Sequence, residues 1–238
     1  MVNYRNHILL PTEISFFCPA YNDEANLPKL ISAVYEFLSR VSKKFEIIIV
    51  EDGSPDRTGE VAEQLAKQFP NIKVIHHSKN LGYGAALRDG FREARYAYVM
   101  YTDGDNQYDV REFEPYLHLL GQADILSGYV EKKALTLRRK IQSRIFNVLI
   151  KLLFFVNIRD INCAMKIYSR KVLDAIDIKS TSAFIDAEML IRAQRSGFRV
   201  AQFPVTHFSR VGGLASGSRF SVIADTVKDM LKFRFGLL

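Results

Sequence analysis

The stretch TDGDNQYD, residues 102–109, places two carboxylates where they could share one ligand. Asp103 and Asp105 are two residues apart, and Gln107 follows them. The apolar run before them, Tyr96–Tyr101, is typical of a buried strand. Acidic turns also occur for solubility alone. Two acids at i and i+2 of a tight turn can instead converge on a divalent cation, because hard cations prefer oxygen ligands. This turn is therefore a candidate metal site.

Three other clusters of polar residues and glycines also follow apolar runs predicted as strands. The three strands are Ile14–Cys18, Phe45–Val50 and Lys73–His76. The clusters after them read PAYNDE, EDGSP and NLGYG. Ligands bind outside the carboxyl ends of the strands in open α/β sheets. The four clusters therefore predict one site assembled from four loops.

The segments between these strands have the apolar spacing of helices. Helices are predicted over Glu24–Val41, Arg57–Phe69, Gly84–Ala94 and Val110–Leu120, and a further strand over Asp124–Ser127. This alternation predicts an α/β fold with a parallel sheet and helices on both faces. The sequence contains no repeat, low-complexity run or Pro/Ser-rich linker, so we expect one domain over residues 1–238.

Composition and charge narrow the function classes. The net charge of +7 predicts an anionic partner: nucleic acid, an acidic membrane surface or a phosphorylated substrate. Two cysteines cannot form a disulfide framework, which favours a reducing compartment. The first residues lack the apolar core of a signal peptide. No apolar run reaches the roughly 18 residues that a membrane-spanning helix needs.

The glycines of the third loop do not fit a dinucleotide site. Gly82 and Gly84 could begin such a fingerprint, but its third glycine would fall on Leu87, and no P-loop motif occurs. Rossmann dehydrogenases and P-loop NTPases are therefore disfavoured. A cation held by carboxylates usually also binds substrate phosphates, and a nucleoside diphosphate would suit such a site.

Four motifs, in order and each after a strand, resemble those of a known family. PAYNDEANL, EDGSPDRT, NLGYGAAL and DGDNQ are similar to motifs of the inverting GT-A glycosyltransferases, and within them of the dolichyl- and polyprenyl-phosphate sugar synthases. The resemblance covers roughly residues 12–216. It implies a GT-A fold, with a Rossmann-like, mostly parallel sheet flanked by helices and with amphipathic C-terminal helices. It also implies a nucleotide-sugar-binding half, residues 1–128, and an acceptor-binding half, residues 129–238.

The resemblance assigns donor and metal roles residue by residue. The donor, a GDP- or UDP-sugar, would contact Pro19, Tyr21, Asp23, Val50, Asp52, Gly84, Asp103 and Gly104. Mg²⁺ or Mn²⁺ would be held by Asp103, Asp105 and Gln107. The chain departs from the family pattern at Glu51 and Asp23, where one acid replaces another.

The second half of the chain resembles the acceptor-binding half of these enzymes. Arg139 and Ser143 match the family's Arg-x-x-x-Ser pair for an acceptor phosphate, and Arg210 matches a third phosphate ligand. Two further family cations are missing, one at Val130 and one near Ser216. The pair lies in a basic, amphipathic segment, residues 138–156, which suits either the membrane interface or the core. Residues 220–238 have a similar pattern.

The acceptor decides which acids are needed. Asp186 and Asp160 match acidic positions of the family, and either would supply the general base that a hydroxyl acceptor needs. A phosphate acceptor, with a second pKa of about 6, is already mostly ionised and needs only cationic positioning. The basic residues before and within the 138–156 segment favour a phosphate acceptor. Asp105 completes the predicted catalytic set. We predict metal-dependent, inverting transfer of the sugar to a polyprenyl (dolichyl) phosphate. We expect the protein to be peripheral, at the cytoplasmic face of an anionic membrane.

Other functions stay open. The acceptor could be a glycan hydroxyl, or the chain could be an inactive relative that only binds a nucleotide sugar. Nucleic-acid binding rests on charge alone and lacks a recognition motif, so we expect no nucleic acid partner. His76 and His77 end a strand, and we expect them to cap it or to be solvated.

Overall fold

The computed structural model describes residues 10–133, 137–210 and 220–238, and the side chains of residues 13–131, 141–210 and 222–238. The strands are β1 (Leu10–Ala20), β2 (Ser42–Glu51), β3 (Ile72–His76), β4 (Tyr98–Tyr101), β5 (Ile125–Lys133), β6 (Lys166–Ser169) and β7 (Val200–His207). The α-helices are α1 (Leu27–Val41), α2 (Thr58–Gln68), α3 (Tyr83–Glu93), α4 (Leu137–Phe154), α5 (Arg170–Ala175), α6 (Ile185–Arg195) and α7 (Phe220–Arg234). A 3₁₀ helix covers Val110–Leu119.

The strands form one sheet in the order β3-β2-β1-β4-β6-β5-β7. The pairs β1–β2, β1–β4, β2–β3 and β5–β7 are parallel, whereas β6 runs antiparallel to both β4 and β5. The predicted α/β class and mostly parallel sheet are therefore confirmed. Strand β6 was not predicted. Its four residues, KIYS, are all buried, but a lysine interrupts the apolar run by which a buried strand is recognised in a sequence.

Helix α1 shows how the apolar pattern builds the core. Its seven buried residues are the ones that share one face at helical spacing, namely Leu27, Leu30, Ile31, Val34, Phe37, Leu38 and Val41. Pro28 lies in the first turn, where its missing N–H leaves no helical hydrogen bond unmade. Helix α1 thus packs its apolar face on β1 and β2.

The helix predicted over Val110–Leu120 is present, and it is a 3₁₀ helix over Val110–Leu119. Pro115 lies inside it, and a proline removes one backbone donor and clashes with the preceding turn of an α-helix. The Asp109 side chain caps the segment by accepting a hydrogen bond from the Arg111 amide at 3.0 Å.

The two C-terminal amphipathic helices are present as predicted. Helix α4 buries Ile150 and Phe154, and α7 buries Met230 and Phe233. The Phe154 and Phe233 rings pack together with centroids 5.6 Å apart, so the two helices meet over the core. Across the described ranges, no helix combines the length and the apolar character needed to cross a bilayer.

Candidate active site

The four loops expected at one edge of the sheet lie together. The Gly104 amide donates to the Pro19 carbonyl at 3.0 Å, which joins the loop after β4 to the end of β1. The Asp52 amide donates to the Ala20 carbonyl, also at 3.0 Å. The third loop is joined to the second, because the Leu81 and Gly82 amides donate to the Asp52 carboxylate. It also contributes Tyr83, whose phenol donates to Asp186 at 3.3 Å and is close enough to Asp103 for the charge of that acid to raise the Tyr83 pKa. These contacts follow from the parallel pairing of β1 with β2 and β4, which brings their carboxyl ends to one edge.

The acidic turn after β4 is shaped by a local hydrogen bond and by the backbone conformation of Asn106. Asp105 accepts a hydrogen bond from the Gln107 amide at 3.1 Å, and Asn106 between them has a φ of 55°. Asparagine tolerates this left-handed conformation better than most residues. One oxygen of Asp103 is buried and has no hydrogen-bond partner among the described residues. Buried oxygens are normally satisfied, so this oxygen is available to a ligand.

The charge at Asp103 indicates what kind of ligand would fit. Burial raises the pKa of Asp103 well above its usual range, and the negative charges of Asp105 and Asp186 raise that pKa further. A cation at the unpartnered oxygen would offset both effects. In the described part of the chain, no cluster of three histidine, cysteine, aspartate or glutamate side chains could hold a metal by itself. The residues therefore fit Mg²⁺ or Mn²⁺ as a partial shell, which substrate phosphates and water would complete.

Gln107 connects the acidic turn to the segment after β7. Its side-chain nitrogen donates to the Phe208 carbonyl at 2.8 Å, and the Phe208 amide donates to the Gln107 carbonyl at 2.9 Å. The side-chain oxygen is then the only atom that Gln107 could offer to a metal. Gln107 thus fixes the position of the chain that leads to Arg210.

Arg210 lies against the donor-side acids rather than apart from them. Its guanidinium donates to Asp23 at 2.6 Å and to the Asn22 carbonyl at 3.1 Å, and it lies 3.7 Å from Asp105. Burial raises the pKa of Asp23, and Arg210 partly offsets that rise. The Asp23 carboxylate also accepts a bond from the Tyr21 amide at 3.1 Å. Arg210 therefore links the first loop to the acidic turn.

Two predicted donor contacts have other roles in the structure. Val50 is fully buried in β2, so its side chain supports the sheet and does not face a ligand. Asp52 is 3% exposed, and its carboxylate accepts from the Leu81 amide at 2.8 Å and the Gly82 amide at 2.9 Å. Its side chain thus orders the third loop. For both residues, the structure shows a supporting role, and the direct contact with the donor stays a prediction.

The glycines of the site allow close approach of protein backbone. A Cβ on Gly84 would lie 2.4 Å from the Thr181 carbonyl carbon, and one on Gly104 would lie 2.6 Å from the Pro19 carbonyl oxygen. Distances below 3 Å force a shift of the backbone. These two glycines are therefore required by the packing of the loops, whether or not a ligand is bound.

Asp186 belongs to a buried network under the acidic turn. The Lys166 ammonium lies 2.6 Å from one Asp186 oxygen, and the side chains of these residues are 0% and 4% exposed. The phenols of Tyr101 and Tyr83 also donate to Asp186. Lys166 itself donates to the Cys163 carbonyl at 2.7 Å. An acid held in this way is poorly placed to take a proton from an acceptor, so the geometry favours a positioning role.

The other predicted acceptor residues lie on different elements. Asp160 is buried and accepts a long hydrogen bond, 3.4 Å, from the Val130 amide. Ser143 lies on α4, where the Asn147 side chain donates to its carbonyl at 2.9 Å. The Arg139 side chain lies outside the described residues, as does Ser216, near which a family cation is missing.

Sequence reasoning missed three residues of this region. Lys166 is the lysine of the stretch RDINCAMK, residues 159–166, and Tyr83 lies within NLGYGAAL. Both residues could therefore have been identified from these stretches. His77 was expected to cap or be solvated at a strand end, and that prediction is wrong. It is buried between Asp52 and Asp89, because residues that are far apart in the sequence enclose it.

Comparisons with known proteins agree with this arrangement. The family model of glycosyl transferase family 2 matches residues 15–177. The chain is 35% identical over 203 residues to glycosyltransferase AglD of Haloferax volcanii, which covers 81% of the chain but only 32% of that protein. It is 30% identical to dolichyl-phosphate beta-glucosyltransferase ALG5A of Trichomonas vaginalis, covering 92% of the chain and 72% of that protein. Identity is also 30% to polyprenol monophosphomannose synthase of Mycolicibacterium smegmatis, over 84% of the chain and 79% of that protein.

Solved structures support the fold. Glucosyl-3-phosphoglycerate synthase from Mycobacterium tuberculosis, in complex with Mn²⁺, UDP and glucosyl-3-phosphoglycerate, superposes with a TM-score of 0.71 at 18% identity. That comparison covers 95% of this chain and 81% of the other. The expected GT-A fold is thereby confirmed. Because the family model covers most of the sheet and the whole acidic turn, the chain belongs to glycosyl transferase family 2 and is a nucleotide-sugar-dependent glycosyltransferase.

Proposed function

We propose that this protein transfers a sugar from a nucleoside-diphosphate sugar to a polyprenyl phosphate, with the help of a divalent cation. The observation that carries the metal dependence is the buried, unpartnered oxygen of Asp103 beside Asp105. The names of the relatives from Trichomonas and Mycolicibacterium support the lipid phosphate acceptor, because both relatives match over most of their length.

On the donor side, the residues present would hold a diphosphate. Asp103 and Asp105 would bind Mg²⁺ or Mn²⁺, which when bound neutralises the charge that develops on the leaving diphosphate. Arg210, 3.7 Å from Asp105, adds a second positive charge at the same place. The loop that carries Tyr21 and Asp23 faces this cluster and would contact the nucleoside. Either UDP or GDP fits this description.

On the acceptor side, an exposed apolar surface lies next to the active site. The helix faces turned away from the core expose Ile145, Leu152 and Phe155 on or next to α4, with 56%, 67% and 90% of each residue accessible. Phe154 in the same stretch packs on Phe184, with ring centroids 6.1 Å apart. Phe184 directly precedes helix α6, which carries Asp186. A lipid held at this surface could therefore present its phosphate to the site.

Helix α7 extends the same surface. Its exposed apolar side chains, Ile223, Val227 and Leu231, form one stripe beside the face that buries Met230 and Phe233. Helices with one face in the core and one apolar face in water are suited to the membrane interface. We therefore propose that α4 and α7 dock the protein on an anionic membrane, with the active site facing the cytoplasm.

The function is tested by transfer of a labelled sugar. UDP- and GDP-sugars are offered with Mn²⁺, Mg²⁺ or a chelator. The acceptors are a short polyprenyl phosphate, the polyprenol without phosphate, and a free oligosaccharide. We expect label only in the polyprenyl phosphate, and only with a divalent cation. Transfer to the oligosaccharide alone would replace the lipid phosphate by a hydroxyl acceptor, and no transfer with any donor would indicate an inactive relative.

A first testable prediction concerns the metal. Asp105→Asn should lower transfer by at least about a hundredfold, the scale of losing one preorganised electrostatic contact. Asp109→Asn is the matched control, because it removes the same charge from the same loop but from a carboxylate already bonded to Arg111. The control should keep activity within about threefold of wild type. Equal activity of the two variants would show that Asp105 holds no metal.

A further inference from the structure

His77 is buried between two carboxylates at the edge of the donor site. Its Nδ1 lies 2.7 Å from an Asp52 oxygen and its Nε2 lies 2.9 Å from an Asp89 oxygen. The side chain is 5% exposed. Ionised carboxylates only accept hydrogen bonds, so both ring nitrogens must carry a proton for both contacts to form.

Asp52 transmits this contact to the third loop. The Asp52 oxygen that faces His77 also accepts the Leu81 amide, and the second oxygen accepts the Gly82 amide. Gly82 has a φ of 94° and precedes the first residue of α3. A φ of this sign favours glycine, and the two hydrogen bonds to Asp52 hold the turn in this conformation. The conformation of this turn then sets the direction in which the Tyr83 side chain points.

Tyr83 completes the path to the proposed metal site. Burial raises the pKa of Tyr83 well above its usual range, and the charges of Asp103 and Asp186 raise it further, so the phenol remains a donor. Its hydroxyl donates to Asp186 at 3.3 Å and lies close enough to Asp103 to feel the charge of that acid. The second partner of His77, Asp89, lies on α3 itself and pairs with Arg92 at 2.8 Å. His77 thus reaches the turn before α3 through Asp52 and the body of that helix through Asp89.

We propose that His77 is a positioning residue for the donor: as an imidazolium between Asp52 and Asp89, it fixes the turn at Leu81 and Gly82 and so the placement of Tyr83 beside Asp103. This inference rests on the proposed donor site. It does not require His77 to contact the sugar nucleotide. The charged groups around the ring are Asp52 from the end of β2, Asp89 and its partner Arg92 from α3.

The variants follow from counting donors. In His77→Gln, the amide nitrogen can donate to only one aspartate, and its oxygen then faces the other carboxylate. In the double variant His77→Gln with Asp89→Asn, the new asparagine donates to that glutamine oxygen and restores both contacts without charge. Asp89→Asn alone keeps a neutral histidine bonded on both sides. His118→Gln is the control, because His118 is exposed and bonds only a backbone carbonyl among its described hydrogen bonds.

The first readout needs no ligand. Hydrogen exchange of the Leu81 and Gly82 amides should become at least about tenfold faster in His77→Gln. The amide of Phe69, which donates to the Leu65 carbonyl at the end of α2, should change little. The double variant should return the exchange to the wild-type rate. In nitrogen-labelled protein, both ring nitrogens of His77 should show the signature of protonated nitrogen. A neutral ring, or unchanged exchange at Leu81 and Gly82, would overturn the inference.

The second readout is donor binding. The KM for the nucleotide sugar should rise about tenfold in His77→Gln, the lower end of the effect expected from residues that orient ligand-binding groups. It should return towards the wild-type value in the double variant. If wild type binds no nucleotide sugar, the proposed function fails, and the exchange experiment still decides the role of His77. If wild type binds donor and His77→Gln binds it equally well, the role in donor positioning is refuted.

Discussion

At the scale of single residues, the active site is built from charges that are paired before any ligand arrives. Asp186 is paired with Lys166, and Asp23 with Arg210. Asp103 has an oxygen without a hydrogen-bond partner among the described residues. Paired buried charges are costly to disturb, since removing one partner leaves the other uncompensated. The acids therefore differ in role even though they are alike in type.

The Asp186–Lys166 pair leads to a prediction that separates catalysis from support. Asp186→Asn should lower the free energy of unfolding by about 3–5 kcal/mol, because it leaves the Lys166 ammonium buried and unpaired. A double variant with Lys166→Met and Asp186→Asn should recover most of that loss. Chemical denaturation of both variants measures the difference.

Activity of the double variant then tests the role of Asp186. We expect transfer within about tenfold of wild type if Asp186 positions Tyr83 and Tyr101. A general base is worth about two to four orders of magnitude. A stable double variant that has lost more than a hundredfold of its activity would therefore make Asp186 the base and favour a hydroxyl acceptor.

Arg210 gives a second prediction at this scale. Because its guanidinium contacts Asp23 and lies near Asp105, Arg210→Ala should weaken donor binding as well as acceptor binding. We expect the KM for the nucleotide sugar to rise at least about tenfold, consistent with the loss of a charge-assisted hydrogen bond. Arg111→Ala is the control, since Arg111 is exposed and pairs with Asp109. A donor KM unchanged in Arg210→Ala would place Arg210 with the acceptor alone.

At the scale of elements, the packing of α3 against the loop before α6 positions the donor turn. Gly84 is the second residue of α3, and the approach of Thr181 leaves no room for a side chain there. The same loop is tied to α6 and α7, because Ser180 donates to Asp229 at 2.8 Å and its amide donates to Glu188 at 2.8 Å. The loop therefore connects the donor site to the C-terminal helix.

A pair of glycine substitutions tests this contact. Gly84→Ala should destabilise the fold by about 1–3 kcal/mol, the usual cost of overpacking. Gly59→Ala is matched to it, because Gly59 is also the second residue of its helix, and its nearest contact to an added Cβ is 3.5 Å. That control should be neutral, or stabilising by up to about 1 kcal/mol, since alanine favours helix. Thermal unfolding compares the two. Equal shifts in Tm would show that the Thr181 contact yields without cost.

At the scale of the whole molecule, the distribution of apolar surface separates two sides. The sheet edge carries the carboxylates, while the outer faces of α4 and α7 carry exposed apolar side chains. The net charge of +7 adds attraction to an anionic surface. These properties together predict reversible binding to membranes rather than insertion.

Vesicle sedimentation tests this prediction. The protein should bind vesicles containing phosphatidylglycerol more than neutral ones, and less as salt rises. Leu152→Glu should weaken binding by about tenfold or more, since burying a leucine contributes about 1.5–3 kcal/mol. Gln64→Glu on the exposed side of α2 makes the same change in charge and should alter binding little. Equal loss in both variants would assign binding to charge alone, and no binding to either vesicle would refute membrane docking.

The sequence alone determined the local features of this protein. Helix α1, the strands β1 to β4 and the four polar loops were predictable, because apolar periodicity and turn residues act over a few positions. The family motifs pointed to the acidic turn. Parallel strands bring their carboxyl ends together, so even the meeting of the four loops followed from local patterns.

Only the tertiary structure decided which partner each charged residue has. The bond between Tyr83 and Asp186 joins residues 103 positions apart, and that between Arg210 and Asp23 joins residues 187 apart. No local pattern encodes such pairs, because the sequence neighbours of a carboxylate do not indicate whether it will face a lysine, a histidine or water in the fold. For the same reason the antiparallel β6, the burial of His77 and the exposed faces of α4 and α7 emerged only when the chain was folded.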